Sequence, residues 1–208
     1  MSENVDENGK ELESCDHFLK ILLIGNSYVG KTNFISIFNN KSFSDERISS
    51  VGLDAKKTDI TIDDQKIRIQ LWDSIGTDKS RATTQNCYLR VQGIMILFDL
   101  TSYESFLSCE TWLNGIREAC GREIPLLLVG NKSDLDRIVN KEDAEQFAQK
   151  NNIEYIEVSC KDNINVEEAV TKLSQNIIAS RYYRGKSVYT NSSFFLKSTK
   201  TTKKACCK

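Results

Sequence analysis

The chain has 208 residues, 39% of them hydrophobic, and a formal net charge of −1. This length suits one α/β domain with additional residues at its ends, and no apolar run approaches the roughly 18 residues that a membrane-spanning helix needs. With one histidine, and with seven cysteines that lack metal-ligand spacing, a zinc site and a histidine-based catalytic triad are excluded. The acidic start does not resemble a secretory signal, so we expect a cytosolic protein with reduced thiols.

Charge is distributed unevenly between the two ends of the chain. Residues 1–16 are acidic and aperiodic, whereas the residues from 186 onward carry six lysines and no carboxylate side chain. We therefore expect a flexible acidic arm over 1–16, a folded domain over 17–183 and a flexible basic tail over 184–208. Because the basic character is confined to the tail, nucleic-acid binding is not expected.

Strand and helix patterns alternate along the predicted domain. Strands are predicted at 18–24, 57–62, 66–72, 93–99, 125–130 and 153–158. Helices are predicted at 31–39, 105–117, 141–150 and 166–181. The second and third strands form a hairpin, and the polar segment 40–53 predicts a mobile loop. This order predicts a three-layer α/β sandwich around a mostly parallel sheet, with ligands at the carboxyl ends of its strands.

Two side chains have predicted structural roles in these helices. Asn140 is expected to cap the helix that begins at 141. Trp112 lies at helical spacing with other apolar residues, so we expect it in the core rather than in a ligand site.

The stretch between the first strand and the first helix predicts a phosphate site. Gly25 and Gly30 are separated by four residues, and Lys31 and Thr32 follow at once, which is the P-loop spacing G-x-x-x-x-G-K-[ST]. In such a loop backbone N–H groups point at phosphate oxygens, the lysine adds charge and the hydroxyl can ligate Mg²⁺. The alternative is a glycine-rich turn without a ligand, but its place between a strand and a helix favours nucleotide binding.

Two later residues could act on the same phosphates. Asp73 ends a predicted strand, which suits the acid that holds Mg²⁺; the alternative is an aspartate that caps the next helix. Gly76 leaves its backbone N–H unshielded, so that it can approach a γ-phosphate.

The sequence Asn131-Lys132-Ser133-Asp134 follows a predicted buried strand. A carboxylate there can accept two parallel hydrogen bonds from the N1–H and N2 amine of guanine, a pair that adenine cannot supply. In isolation the sequence would be a plain turn. At the ligand-binding edge of the sheet it predicts guanine recognition and argues against a nucleoside or metabolite kinase, the other P-loop enzyme considered.

Together these motifs resemble a small GTPase of the Ras superfamily, and most closely a Rab protein, over about residues 18–182 and at the C-terminus. The Rab resemblance rests on residues 49–54, on residues 68–73 and on the terminal cysteine pair. It implies a P-loop NTPase small G-domain with a six-stranded, mostly parallel sheet. It also implies a monomeric domain that binds GTP or GDP with Mg²⁺, hydrolyses GTP and acts as a switch in vesicle transport.

The resemblance assigns roles residue by residue. The residues implied to contact nucleotide are Ser27, Tyr28, Val29, Gly30, Lys31, Thr32, Phe43, Ser50, Gly76, Asn131, Lys132, Asp134, Ser159, Cys160 and Lys161. The residues implied to hold Mg²⁺ are Thr32, Ser50 and Asp73. Phe43 would stack on the base, and residues 159–161 resemble the usual Ser-Ala-Lys loop. Tyr28 stands at a position that is usually small; because that position contributes mainly backbone, we expect binding to be kept.

The chain departs from the Rab pattern at the catalytic position. Thr77 stands where Rab proteins carry the glutamine that orients the attacking water, so no catalytic residue is assigned with certainty. Threonine is shorter and lacks the carboxamide's paired donor and acceptor, which predicts slow intrinsic hydrolysis. The alternative is a non-cycling module that binds GTP and recruits effectors to a membrane.

The C-terminus resembles that of Rab proteins whose paired cysteines receive geranylgeranyl groups. Cys206 and Cys207 form that pair, and two lipid chains with nearby lysines would give stable anchoring. The resemblance implies the cytoplasmic face of a membrane with a cytosolic pool. The partners that it implies are effectors, an exchange factor, a GTPase-activating protein, Rab escort protein and GDP-dissociation inhibitor. Ala55 and Cys87 replace two commonly exposed aromatics while Trp72 remains, which predicts an unusual set of effectors.

Overall fold

The computed structural model describes residues 14–40, 57–74, 87–120 and 123–180. Its strands are β1 (His17–Ile24), β2 (Lys57–Ile62), β3 (Gln65–Asp73), β4 (Gly93–Asp99), β5 (Leu126–Asn131) and β6 (Glu154–Glu157). The helices in the described part are α1 (Lys31–Phe38), α2 (Tyr103–Cys120), α3 (Lys141–Asn151) and α4 (Val166–Ala179). Every predicted strand and helix is present, with ends that shift by a few residues. No helix among these residues is long and apolar enough to cross a membrane.

The six strands form one sheet in the order β2-β3-β1-β4-β5-β6. β2 and β3 are the antiparallel hairpin, and every other neighbouring pair is parallel. This confirms the predicted mostly parallel sheet. The register places Leu23 opposite Asp73 and Asp99 opposite Asn131. The loops that follow β1, β3, β4 and β5 therefore leave the sheet at one edge.

Apolar side chains fill both faces of the sheet. On one face Leu19, Ile21 and Leu23 of β1 pack in a cluster that includes residues of α1 and α4. On the other face Leu22 and Ile24 pack in a cluster that includes residues of α2 and α3. Because successive strand residues point to opposite faces, one continuous apolar strand serves both cores. The predicted three-layer sandwich is thus confirmed.

Helix α2 begins two residues earlier than its apolar spacing predicts. The Ser105 backbone N–H donates to the Ser102 hydroxyl at 3.4 Å, and the Asp99 N–H donates to the Ser105 hydroxyl at 2.9 Å. These side-chain contacts join the end of β4 to the first turn of the helix. Such polar contacts carry no hydrophobic period, so the pattern could not locate this boundary.

Asn140 occupies the N-cap position of α3 with extended backbone angles, but its side chain makes no capping hydrogen bond. Its amide lies 3.4 Å from the Asp143 carboxylate instead. The predicted position is correct and the predicted side-chain cap is wrong: the amide nitrogen donates to this carboxylate in the first turn, and the amide oxygen does not accept from a backbone N–H of that turn.

Candidate functional site

The phosphate loop between β1 and α1 has a backbone that needs glycine at two positions. Gly25 has φ 142°, and a Cβ there would lie 2.1 Å from the Leu97 carbonyl oxygen. Gly30 has φ 102°, and a Cβ there would lie 2.2 Å from the Asn131 amide nitrogen. Tyr28 adopts φ 66° and is 61% exposed. The two glycines are thus required by contacts with the ends of β4 and β5.

Replacing Gly30 with alanine is expected to lower the free energy of unfolding by about 2 kcal/mol or more, because the left-handed backbone and the close Asn131 amide both oppose a Cβ. Gly115→Ala is the matched control, since nothing lies within 4 Å of a Cβ at this position in α2. It should raise the free energy of unfolding by about 0.5–1 kcal/mol. Urea denaturation of the two variants tests this, and equal midpoint shifts would contradict it.

Lys31 begins α1 and is only 6% exposed. Its ammonium donates hydrogen bonds to the carbonyl oxygens of Gly25 at 2.9 Å and Asn26 at 2.8 Å. Burial lowers the pKa of Lys31 to about 8, and the nearby Asp73 carboxylate opposes that shift. The loop therefore holds a buried ammonium that an added negative charge, such as a phosphate, would stabilise.

Thr32 and Asp73 meet at the carboxyl edge of the sheet. The Thr32 hydroxyl donates to a carboxylate oxygen of Asp73 at 2.6 Å, although 41 residues separate them in sequence. A hydroxyl and a carboxylate are hard oxygen ligands, which is the donor chemistry that Mg²⁺ prefers. These two predicted metal ligands are brought together and fit that ion.

Asn131, at the end of β5, links the phosphate loop to the loop after β6. Its amide nitrogen donates to the Val29 carbonyl at 2.8 Å, and its amide oxygen accepts from the Cys160 N–H at 3.2 Å. The side chain is 2% exposed. Asn131 thus holds two of the predicted nucleotide loops against each other from within.

Asp134 and Ser159 belong to two predicted guanine loops and are in direct contact. The Ser159 hydroxyl donates to Asp134 Oδ1 at 2.7 Å and accepts from the Asp162 N–H at 3.0 Å. The first of these bonds fixes one oxygen of the carboxylate. The structure therefore places Asp134, which is predicted to recognise guanine, in hydrogen-bond contact with the Ser-Cys-Lys loop.

Lys132 forms an ion pair that the sequence motif does not reveal. Its ammonium lies 2.5 Å from Asp99 Oδ2, at the end of β4. Asp99 is 8% exposed, and its Oδ1 accepts from both the N–H and the hydroxyl of Thr101 at 2.8 Å. Asp99 therefore orients Lys132. Asp99 lies at the end of β4 opposite Asn131, so its position in the sheet was the only signal that could have indicated a role in this site.

Cys160 replaces the alanine expected in this loop and is 2% exposed. Burial raises the pKa of its thiol to about 12, while the hydrogen bond with Asn131 opposes the shift. A buried neutral thiol is unreactive, so Cys160 serves as a packing residue. Together with Cys15, Cys87, Cys109 and Cys120 it is a free cysteine, as predicted.

Several predicted residues lie outside the described part of the chain. These are Phe43, Ser50, Ala55, Gly76, Thr77, Cys206 and Cys207. The predicted mobile loop lies outside it except for Asn40, as do most of the acidic arm and all of the basic tail. The assignments on these residues stay predictions.

A six-stranded sheet that carries a P-loop sequence and an Asn-Lys-x-Asp loop at one edge defines the class of small G-domains. The family model "Ras family" matches residues 20–179 of this chain. Ras-related protein Rab-13 of Rattus norvegicus is 35% identical over 168 residues, which cover 80% of this chain and 83% of that protein.

Two plant proteins are similar over the same extent. Ras-related protein Rab11B of Nicotiana tabacum is 36% identical over 79% of this chain and 77% of its own length. GTP-binding protein YPTM1 of Zea mays is 38% identical over 80% of this chain and 81% of its own length. The chain belongs to the Ras family of small GTPases, as a divergent Rab protein.

Proposed function

We propose that this protein binds GTP and GDP with Mg²⁺ and acts as a Rab-type switch in vesicle transport. The single observation that supports this best is the buried Asn131 amide, which bonds to both Val29 and Cys160. It joins the P-loop to the loops expected to recognise guanine. One ligand with phosphates at one end and guanine at the other matches that arrangement.

The phosphate end of the site consists of the P-loop backbone, Lys31 and the Thr32–Asp73 pair. Lys31 would pair with the outer phosphates, and Thr32, Asp73 and Ser50 would hold the ion, which would supply charge neutralisation for the phosphates. Chelation tests this assignment. EDTA should speed the release of radiolabelled GDP by about tenfold or more if these residues hold an ion that stabilises the bound nucleotide, and release at an unchanged rate would contradict it.

The base end consists of Asp134, Lys132 and the loop of Ser159, Cys160 and Lys161. The Asp134 carboxylate would accept from guanine N1–H and N2, while the Ser159 hydroxyl keeps its orientation. Phe43 would stack on the base and Gly76 would approach the γ-phosphate, as the family pattern implies.

Replacing Thr77 with glutamine is expected to raise the intrinsic hydrolysis rate by about tenfold or more, because the carboxamide can both donate to and accept from the attacking water. Single-turnover release of phosphate from purified protein loaded with GTP measures this rate. Thr77→Ser is the matched control, since it keeps a short hydroxyl and should leave the rate nearly unchanged. Equal rates for the wild type and Thr77→Gln would overturn the proposal of slow hydrolysis.

A second candidate function follows from the same residue. With Thr77 in place of glutamine, the protein would remain loaded with GTP and recruit effectors without cycling. The nucleotide bound to protein purified from its own cells separates the candidates. GTP supports the non-cycling module, and GDP supports a cycling switch.

The proposed site of action is the cytoplasmic face of an intracellular or plasma membrane. Geranylgeranyl groups on Cys206 and Cys207 would anchor the tail, and the partners would be those implied for Rab proteins: effectors, exchange and activating factors, escort protein and GDP-dissociation inhibitor. Mass spectrometry of protein from its native cell tests the anchor. If neither cysteine carries a prenyl adduct, the lipid anchor is ruled out.

A further inference from the structure

Asn26, the second residue of the phosphate loop, has its side chain bonded to helix α2. Its amide nitrogen donates to the Ser108 hydroxyl at 2.9 Å, and its amide oxygen accepts from the Trp112 indole N–H at 3.0 Å. These partners are 82 and 86 residues away in sequence. Both ends of the amide are therefore fixed by the same helix.

Ser108 and Trp112 are suited to this contact by their spacing. Residues four apart lie on the same face of a helix, one turn from each other. Trp112 is 2% exposed within the core cluster shared by β4 and α2. The Ser108 hydroxyl also donates to the Glu104 carbonyl at 3.0 Å, which fixes the direction of its remaining acceptor sites. The helix thus presents one rigid donor and one oriented acceptor to the loop.

The main chain of Asn26 is bonded to the Lys31 ammonium, which is proposed to contact phosphate. The main-chain carbonyl of Asn26 accepts from Lys31 Nζ at 2.8 Å. Because the side chain of Asn26 is held by α2, the position of this carbonyl is also set by α2. Two hydrogen bonds therefore connect the Trp112 indole to the Lys31 ammonium through a single residue.

We propose that Trp112 and Ser108 are positioning residues for the phosphate loop, acting through Asn26 on Lys31. This inference rests on the proposed nucleotide binding at the same loop. Both residues contact the phosphate loop through the Asn26 side chain, and in this way they set the loop geometry that a ligand meets. Loss of either hydrogen bond leaves part of the Asn26 amide unsatisfied in a half-buried site, which favours open loop conformations and faster release.

The test measures release of radiolabelled GDP from the wild type and three variants. Trp112→Phe keeps an aromatic ring and removes the N–H donor; Ser108→Ala removes the other partner; Asn26→Leu removes the amide itself. Trp112→Phe and Ser108→Ala are each expected to raise the release rate by about tenfold, the effect of losing one net hydrogen bond, and Asn26→Leu, which removes both hydrogen bonds, should raise it by at least as much. Ile116→Val is the matched control, since it trims an α2 residue that is 1% exposed and removes no hydrogen bond.

A double-mutant cycle separates positioning from simple core packing. In an Asn26→Leu background, Trp112→Phe should leave the release rate unchanged within about twofold, because its partner is already absent. If the release rate of the double mutant is raised by the product of the two single-mutant increases, the inference is overturned. It is also overturned if Trp112→Phe releases GDP at the same rate as Ile116→Val. If Trp112→Phe does not fold, the cycle of Ser108→Ala with Asn26→Leu gives the same test.

Failure of the proposed function gives a different result. A wild type that retains no radiolabelled GDP would overturn both the function and the positioning role. A wild type that retains GDP, with release insensitive to Ser108→Ala and Trp112→Phe, would overturn only the positioning role. The protein contains two tryptophans, so NMR of the two indole N–H groups supplies a spectroscopic signature. One signal should move with Asn26→Leu, and two unmoved signals would overturn the contact itself.

Discussion

Replacing Lys31 with methionine is expected to weaken GDP binding by about 100-fold or more, since a buried charge-assisted contact with phosphate contributes about 3 kcal/mol. Methionine is similar in length and carries no charge, so the change removes the ammonium and little volume. The residue is almost fully buried, and the Asp73 carboxylate favours its charged form without offsetting the effect of burial. A phosphate bound there would therefore interact strongly with a poorly hydrated ammonium.

Isothermal titration of GDP into nucleotide-free protein measures the loss. Lys141→Met is the control, because Lys141 is exposed on α3, where it pairs with Glu145 of the same helix at 3.7 Å. That control should bind GDP as the wild type does. Equal GDP affinities for Lys31→Met and Lys141→Met would mean that phosphate is not bound at this loop.

Replacing Asp134 with asparagine is expected to weaken GDP binding by about 100- to 1,000-fold, through loss of two hydrogen bonds to a charged acceptor. The asparagine oxygen can still accept from the Ser159 hydroxyl, so the loop should keep its shape. The new N–H donor would face the guanine N2 amine, another donor. Xanthine carries a carbonyl at that position, so xanthosine diphosphate should bind this variant better than GDP does.

Competition between the two nucleotides for the Asp134→Asn variant provides the measurement. Asp136→Asn is the matched control, as it removes an exposed carboxylate two residues further along the same loop. GDP preference should be unaffected in that control. An Asp134→Asn protein that still prefers GDP over xanthosine diphosphate would place the base elsewhere.

Much of the fold follows from local patterns in the sequence. The run 93–99 predicts a strand covered on both faces, and β4 occupies those seven residues, all of them buried. The P-loop spacing likewise predicts the turn between β1 and α1, because both glycines are needed for its backbone. Such features depend on near neighbours in the chain, which periodicity and spacing record.

The contacts that assemble the site do not follow from local patterns. Asn131 reaches Val29 across 102 residues, and Trp112 reaches Asn26 across 86. The motifs predict that Asn131 contacts nucleotide and that Trp112 lies in the core, yet Asn131 also ties two loops together and Trp112 ties helix α2 to the phosphate loop. Asp99 was missed altogether because its partner Lys132 lies in a different loop. Polar contacts between residues far apart in sequence produce no hydrophobic periodicity, so they can be predicted only when the register of the sheet is known.

We propose that one site holds both phosphates and guanine. Displacement of radiolabelled GDP by unlabelled GTP, GDP, ATP and ADP in the presence of Mg²⁺ measures both parts of that recognition in one assay. GTP and GDP should displace the label at concentrations at least about 1,000-fold lower than those needed for ATP and ADP, because adenine cannot donate the pair of hydrogen bonds that the Asp134 carboxylate is proposed to accept. Displacement by ATP at the same concentration as GTP, or no retention of the label at all, would contradict the account.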